Sequence, residues 1–156
     1  MTTVISPDGK WKNPSDEEII HIYKTVKRIA VAGLSSDPAR PSFGVAKFLL
    51  SKGYEIIPVN PNETEVLGQK AYPDLRAVYG ERSRTIPGPI DLVDCFRRSE
   101  VVGETIDEGL ALGIKNFWLQ EGVWDEPRGF LIRQQGGFIV MNLCIAKTHA
   151  RLMGQV

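Results

Sequence analysis

At 156 residues, 42% hydrophobic and 24% charged, the chain has the length of one domain and enough apolar content to bury a core without disulfides or metal. Its 19 Lys+Arg balance 19 Asp+Glu, which excludes the overall basic charge that nucleic-acid and anionic-membrane binders rely on, so a bound anion must be held by a local site. Apolar runs such as Ile29-Ala30-Val31-Ala32 fall far short of the roughly 18 residues a transmembrane helix needs, Met1 to Trp11 lacks the apolar core of a signal peptide, and two cysteines, Cys95 and Cys144, suit a reduced cytoplasmic protein better than a disulfide scaffold.

After a polar arm, Ser15-Asp16-Glu17-Glu18 reads as a helix start, with Ser15 as N-cap, Glu18 completing a capping box, and Ile19, Tyr23 and Val26 on one face. Arm and helix make up residues 1–26; one compact domain is expected over 27–156. Arg28 to Gly33 is a short apolar run ending in glycine, the pattern of a buried parallel strand. A loop rich in Ser, Asp and Pro, Leu34 to Pro41, leads into a helix carrying Val45, Ala46, Leu49 and Leu50 and closed by Lys52-Gly53. Tyr54 to Val59 is a second strand, stopped by Asn60-Pro61-Asn62. Val66 to Gly88 reads as irregular, with a short helix over Pro73 to Tyr79. Asp91 to Phe96 is a third strand, followed by Arg97-Arg98 and a helix capped at Ser99 and ended by Gly113. Asn116 to Leu119 is a fourth strand. A helix then starts near Asp125-Glu126-Pro127 and ends at Gly136-Gly137, Phe138 to Met141 is a fifth strand, and Ile145 to Met153 is a last helix.

Strands alternating with helices at this rhythm predict an α/β, Rossmann-like doubly wound parallel sheet of about five strands, with helices on both faces plus an N-terminal helix. Such sheets bind ligands beyond the carboxyl ends of the strands, near the point where strand order reverses. The first exit, Gly33 to Ser42, precedes a helix whose free N–H groups favour a phosphate. A dinucleotide fingerprint needs G-x-G-x-x-G, yet Ser35 stands at the second glycine position and the next glycine is Gly44. Ser35, Ser36 and Ser42 can donate to phosphate oxygens and Arg40 can pair with them bidentately; an ordinary loop with Ser42 as helix N-cap is the plain alternative. At the second exit no carboxylate stands at the strand end to bond a ribose, and Glu63 and Glu65 lie farther along, which suits a phosphorylated ribose or NADP better than NAD. Phe96-Arg97-Arg98 and Gln120-Glu121-Gly122 form the third and fourth exits, where arginines can face a pyrophosphate and Gly122 can admit a ligand close to the backbone.

Taken together, Val31-Ala32-Gly33-Leu34-Ser35, Val59-Asn60-Pro61, Phe96-Arg97-Arg98 and Trp118-Leu119-Gln120-Glu121-Gly122 resemble the family of small stand-alone CoA-binding proteins. They are more distantly similar to the N-terminal CoA-binding domain of the succinyl-CoA synthetase alpha subunit. The resemblance runs from Ile29 to His149 and leaves out the arm and the insertion Arg82 to Gly88. It implies a domain that holds coenzyme A, or an acyl-CoA, by its 3′-phospho-ADP moiety. On that resemblance Gly33, Ser35, Ser36, Arg40 and Ser42 match the phosphate loop, and Asn60 and Pro61 the segment beside the adenine-ribose. Phe96 and Arg97 line the middle, and Gln120, Glu121 and Gly122 match a Thr-Glu-Gly stretch near CoA. Where the synthetase carries a lysine after the second strand this chain has Asn62-Glu63, a departure that removes that charge contact unless Arg40 substitutes. The synthetase's phosphorylated histidine belongs to a second domain for which this length has no room. The implied function is therefore binding without ligase chemistry, by a monomer or small homo-oligomer with no nucleic-acid or membrane partner.

His21 and His149 stand apart from any Ser, Cys or carboxylate at catalytic spacing, and no metal-ligand spacing links them to the cysteines. Cys144 starts the last helix, where it is either core or placed to form a mixed disulfide with the CoA thiol. Two other readings stay open. One is an NAD(P)-binding oxidoreductase or dinucleotide sensor, disfavoured by the broken fingerprint; the other is an interaction protein that keeps the fold with a vestigial nucleotide site.

Overall fold

The short apolar runs pair as predicted. A computed structural model describes residues 10–82 and 88–154 in the order α1 (Asp16–Thr25), β1 (Arg28–Ala32), α2 (Pro41–Ser51), β2 (Glu55–Val59), β3 (Glu65–Val66), β4 (Gln69–Lys70), α3 (Leu75–Arg82), β5 (Leu92–Cys95), α4 (Ser99–Ala111), β6 (Asn116–Leu119), α5 (Glu126–Gln134), β7 (Phe138–Val140) and α6 (Ile145–Met153). The first nine residues of the arm and residues 83–87 of the insertion lie outside the described residues. Five strands form one parallel sheet in the order β2-β1-β5-β6-β7. Chain order reverses between β1 and β5, so their carboxyl ends flank the crevice where doubly wound sheets bind ligands.

Both faces of the sheet are covered, because successive residues of each strand point to opposite sides. Ala30, Val93, Phe117 and Ile139 pack with Leu75, Val78, Val102, Ile106 and Ile132 of α3, α4 and α5. Ile29, Val31, Leu92, Trp118 and Val140 pack with Ile19, Tyr23, Ala46, Leu49 and Ile145 of α1, α2 and α6. The end of the N-terminal arm and α1 join these same cores: Trp11 is buried with the first cluster, Ile19 and Tyr23 with the second. Asn13 ties the arm to the residue after β7, its side chain accepting from the Met141 N–H at 2.8 Å and donating to the Met141 carbonyl at 2.9 Å.

Several local expectations change. Ser15 caps α1 by accepting from the Glu18 N–H, but the reciprocal half of the capping box is missing, because the Glu18 carboxylate is drawn to Arg133 of α5. The segment read as irregular contains the hairpin β3–β4, turning at Leu67 and Gly68 with φ of 53° and 75°, a left-handed pair that a leucine hides from sequence rules. The helix placed over Pro73 to Tyr79 forms at Leu75–Arg82 instead. Tyr72 lies along β2 there, its N–H donating to the Pro58 carbonyl and its carbonyl accepting from Asn60, so an edge strand containing proline is still covered. Ser99 is the first residue of α4 and not its cap; its hydroxyl donates to the Gly122 carbonyl and accepts from the Trp124 N–H, tying α4 to the exit of β6.

Candidate functional site

Beyond the carboxyl ends of β1, β2 and β5 lies a cleft of about 450 Å³ whose lining includes Gly33, Asn60, Pro61, Asn62, Phe96, Arg97, Arg98, Thr105 and Glu108. A second cleft, of about 400 Å³, spans the β5 and β6 exits and is lined by Phe96, Arg97, Arg98, Gln120, Glu121 and Gly122 among others. The two share Phe96-Arg97-Arg98 and so meet at the β5 exit. A third groove, of about 460 Å³, runs from Arg97 and Thr105 along α4 to Arg76 and Asp107. Arg97 lines all three.

Gly33 ends β1 at φ +86°, and a Cβ built there would lie 2.5 Å from the Phe96 carbonyl oxygen. The glycine is demanded by the close approach of two strand exits, which seats the β5 loop against the β1 loop and forms the cleft floor. Asn60 clips these loops to the end of β2. Its side-chain amide donates to the Leu34 carbonyl at 3.0 Å and its oxygen accepts from the Asn62 N–H at 2.9 Å. Arg97 donates to the Thr105 hydroxyl at 3.0 Å and lies 3.7 Å from Glu104, with its side chain 36% exposed. On the opposite wall Glu108 accepts from the Leu75 and Arg76 N–H groups, both at 3.2 Å, and caps α3.

The β1 exit differs from an open phosphate loop. The Ser35 N–H donates to the Ser42 hydroxyl, Ser36 to the Glu63 carboxylate, Asp37 to the Ser35 hydroxyl, Ala39 to the Asp37 carboxylate, and Arg40 to the Asp37 carbonyl. These backbone donors are consumed within the protein. Ser42 is buried and braces the loop from the first turn of α2, whose cap is Arg40. Ser35, Ser36, Arg40 and Ser42 line none of the clefts described here, whereas Gly33, Asn60, Pro61, Phe96, Arg97, Gln120, Glu121 and Gly122 do.

Gln120 borders the second cleft but is itself buried, and its oxygen accepts from the Ile145 N–H, capping α6. Glu121 is exposed and faces Lys147 at 3.4 Å. Gly122 has φ +79°, nothing stands within 4 Å of a Cβ built on it, and its N–H donates to Asn142 at 2.7 Å. Cys144 is buried, 7% exposed, among the residues of the second core and lines none of these clefts. His149 is buried between the rings of Tyr23, Phe48 and Tyr54, and burial, then Lys52, holds its imidazole below the ordinary range.

Three side chains that matter here were not singled out from sequence: Thr105, Glu108 and Asp94. The first two belong to a helix face visible by periodicity, but their aim into the cleft depends on how α4 lies on the sheet. Asp94 could have been flagged, since an acid inside an apolar strand is unusual. It is fully buried on β5 between Val31 and Trp118, neither carboxylate oxygen has a hydrogen-bond partner among the described residues, and burial pushes its carboxyl well above the usual range.

No helix among the described residues is long and apolar enough to cross a membrane. A Bacillus subtilis protein described as uncharacterized, YneT, is 42% identical over 139 residues, covering 89% of this chain and 97% of that protein. The alpha subunit of an ADP-forming acetate–CoA ligase from Pyrococcus furiosus is 35% identical over 137 residues, 80% of this chain but 28% of that subunit. A hypothetical protein from Pyrococcus horikoshii superposes with a TM-score of 0.78 at 33% identity, over 99% of this chain and 100% of that one. Residues 27–150, which hold all five strands of the main sheet and both clefts at their carboxyl ends, match the CoA-binding domain family, and the chain belongs to that family.

Proposed function

We propose that the protein binds CoA or an acyl-CoA along the joined clefts, with the adenosine half over the β1 and β2 exits beside Asn60 and Pro61, the pyrophosphate beside Arg97, and the pantetheine arm toward Gln120-Glu121-Gly122. The observation that carries this reading is the meeting of the two clefts at Phe96-Arg97-Arg98, which makes one extended groove across the carboxyl ends of β1, β5 and β6 in a chain of the CoA-binding family. The groove suits a long ligand with anionic groups near its middle. Binding, without a chemical step, is the role assigned to it. The two cysteines are free and buried, in keeping with a reduced cytoplasmic setting. A dinucleotide with a free ribose is the second reading, favoured by the position of Glu63, whose carboxylate reaches the β1 exit.

A thermal-shift comparison of CoA, acetyl-CoA, NAD, NADP and ATP separates these readings. Ligand at 100 times its dissociation constant adds about 2.7 kcal/mol, which for a domain of this size raises Tm by about 5–10 °C. A shift with CoA and none with the nicotinamide nucleotides is expected; the reverse pattern overturns the CoA assignment. Arg97→Ala is expected to weaken CoA by about 10–100-fold, the equivalent of one charge-assisted hydrogen bond of roughly 1.5–3 kcal/mol. Its Tm without ligand should barely move, because Arg97 is partly exposed and bonded to one hydroxyl. Unchanged CoA affinity would place the pyrophosphate elsewhere.

A further inference from the structure

At the β1 exit one acceptor comes from another loop. The Ser36 N–H and its hydroxyl both donate to the same Glu63 carboxylate oxygen, at 2.8 and 2.9 Å. The turn after β2 delivers that carboxylate. Asn60 holds the Asn62 N–H with its side chain and accepts from the Glu63 N–H with its carbonyl at 3.2 Å, while its amide reaches Leu34 on the β1 side. Glu63 is thus anchored at the corner between the first two strand exits, beside the cleft wall formed by Asn60, Pro61 and Asn62. Among the described residues no cation pairs with it.

In doubly wound sheets an acid at this corner accepts from ribose hydroxyls and repels a phosphate on the same ribose. We infer that Glu63, at the rim of this groove beside Asn60, Pro61 and Asn62, sets its ribose specificity: its carboxylate favours a ribose with free hydroxyls and penalises one carrying a phosphate, which must push it off Ser36 to use those donors. The inference rests on the adenosine half of CoA occupying the β1/β2 side of the groove. A built-in carboxylate on the loop donors acts as an internal competitor for the 3′-phosphate.

Isothermal titration of the full chain with CoA and with dephospho-CoA tests it, in the natural protein and in Glu63→Gln, which keeps an oxygen to accept from Ser36 and removes the charge. The substitution is expected to tighten CoA five- to twentyfold and to leave dephospho-CoA unchanged or weaker, moving the ratio of the two affinities at least fivefold toward CoA. A ratio within twofold of the natural protein's overturns the role of Glu63 and leaves the CoA reading standing. Failure of both proteins to bind either nucleotide, with folding verified by circular dichroism, overturns the CoA reading and the role together. If Glu63→Gln does not fold, Glu63→Ala is judged by the same ratio.

Discussion

Gly33→Ala is expected to destabilise the protein by about 3 kcal/mol and to abolish ligand binding at the switch point. Two costs combine. A residue with a Cβ at φ +86° gives up roughly 1–2 kcal/mol, and the new methyl would stand 2.5 Å from the Phe96 carbonyl oxygen, a backbone atom that cannot swing aside. That carbonyl belongs to a residue whose own N–H donates to Ala32 at 2.8 Å, and Gly33 donates to Val59 at 2.8 Å. The overlap can be relieved only by spreading β1 from β5, an overpacking cost of about 1–3 kcal/mol. Tm should fall by about 6–12 °C. Gly122→Ala is the control: φ is also positive, at +79°, but the space beside it is open, so only the backbone cost of roughly 1–2 kcal/mol applies. Equal losses for the two variants would show that the contact with Phe96 is not the reason for a glycine at position 33.

The second large effect concerns Asp94 and pH. A carboxyl whose pKa is raised by burial stays protonated in the folded protein after the unfolded chain has lost its proton. Within that window the native state binds more protons than the unfolded state, so stability is greatest below the unfolded carboxylate pKa of about 4 and falls as pH rises toward the folded value. The slope is about 1.4 kcal/mol per pH unit for one proton. Asp94→Asn removes the titration while keeping shape, so the variant's stability relative to the natural protein should increase as pH rises above the unfolded carboxylate value and level off once the folded carboxyl itself ionises. Urea unfolding at several pH values measures this directly. Parallel stability curves would mean that Asp94 ionises normally and that its burial is relieved by some other contact.

Asp94 lies one residue before Cys95 and two before Phe96, whose backbone forms the floor between the clefts. Its side chain is on the α1/α2/α6 face, opposite Val93 and Cys95, and lines none of the clefts described here.

Much of the fold was legible in one dimension, and the reasons are local. Asn116-Phe117-Trp118-Leu119 and Ile145 to Met153 form the strand and helix expected of them, since an apolar run and a 3.6-residue period need only neighbours in sequence to be recognised. Gly113 closes α4 at φ +87° for the same kind of reason. The hairpin β3–β4 was missed because its turn uses Leu67 with positive φ, and Ser99 was misread as a cap because its hydroxyl is claimed by Gly122 and Trp124, more than twenty residues away.

The candidate site divides along the same line. Gly33, Asn60, Phe96, Arg97 and Gly122 could be chosen from sequence, because strand exits follow from the strand pattern and doubly wound sheets bind at those exits. Which donors remain available could not. In the β1 loop the Ser35 N–H donates to the Ser42 hydroxyl, and the Ser36 N–H and hydroxyl donate to Glu63, a residue the sequence placed beyond the strand end. Composition and periodicity determined the five strands of the main sheet, the helices between most of them and the sheet edge that carries the candidate site, since each depends on hydrophobic pattern along the chain. The tertiary structure alone decided that two clefts meet at Arg97, that Gln120 and Glu108 cap helices, and that Glu63 occupies the β1 exit. Hydrogen bonds and charges saturate in three dimensions, and a side chain's partner is set by where the fold brings distant loops together.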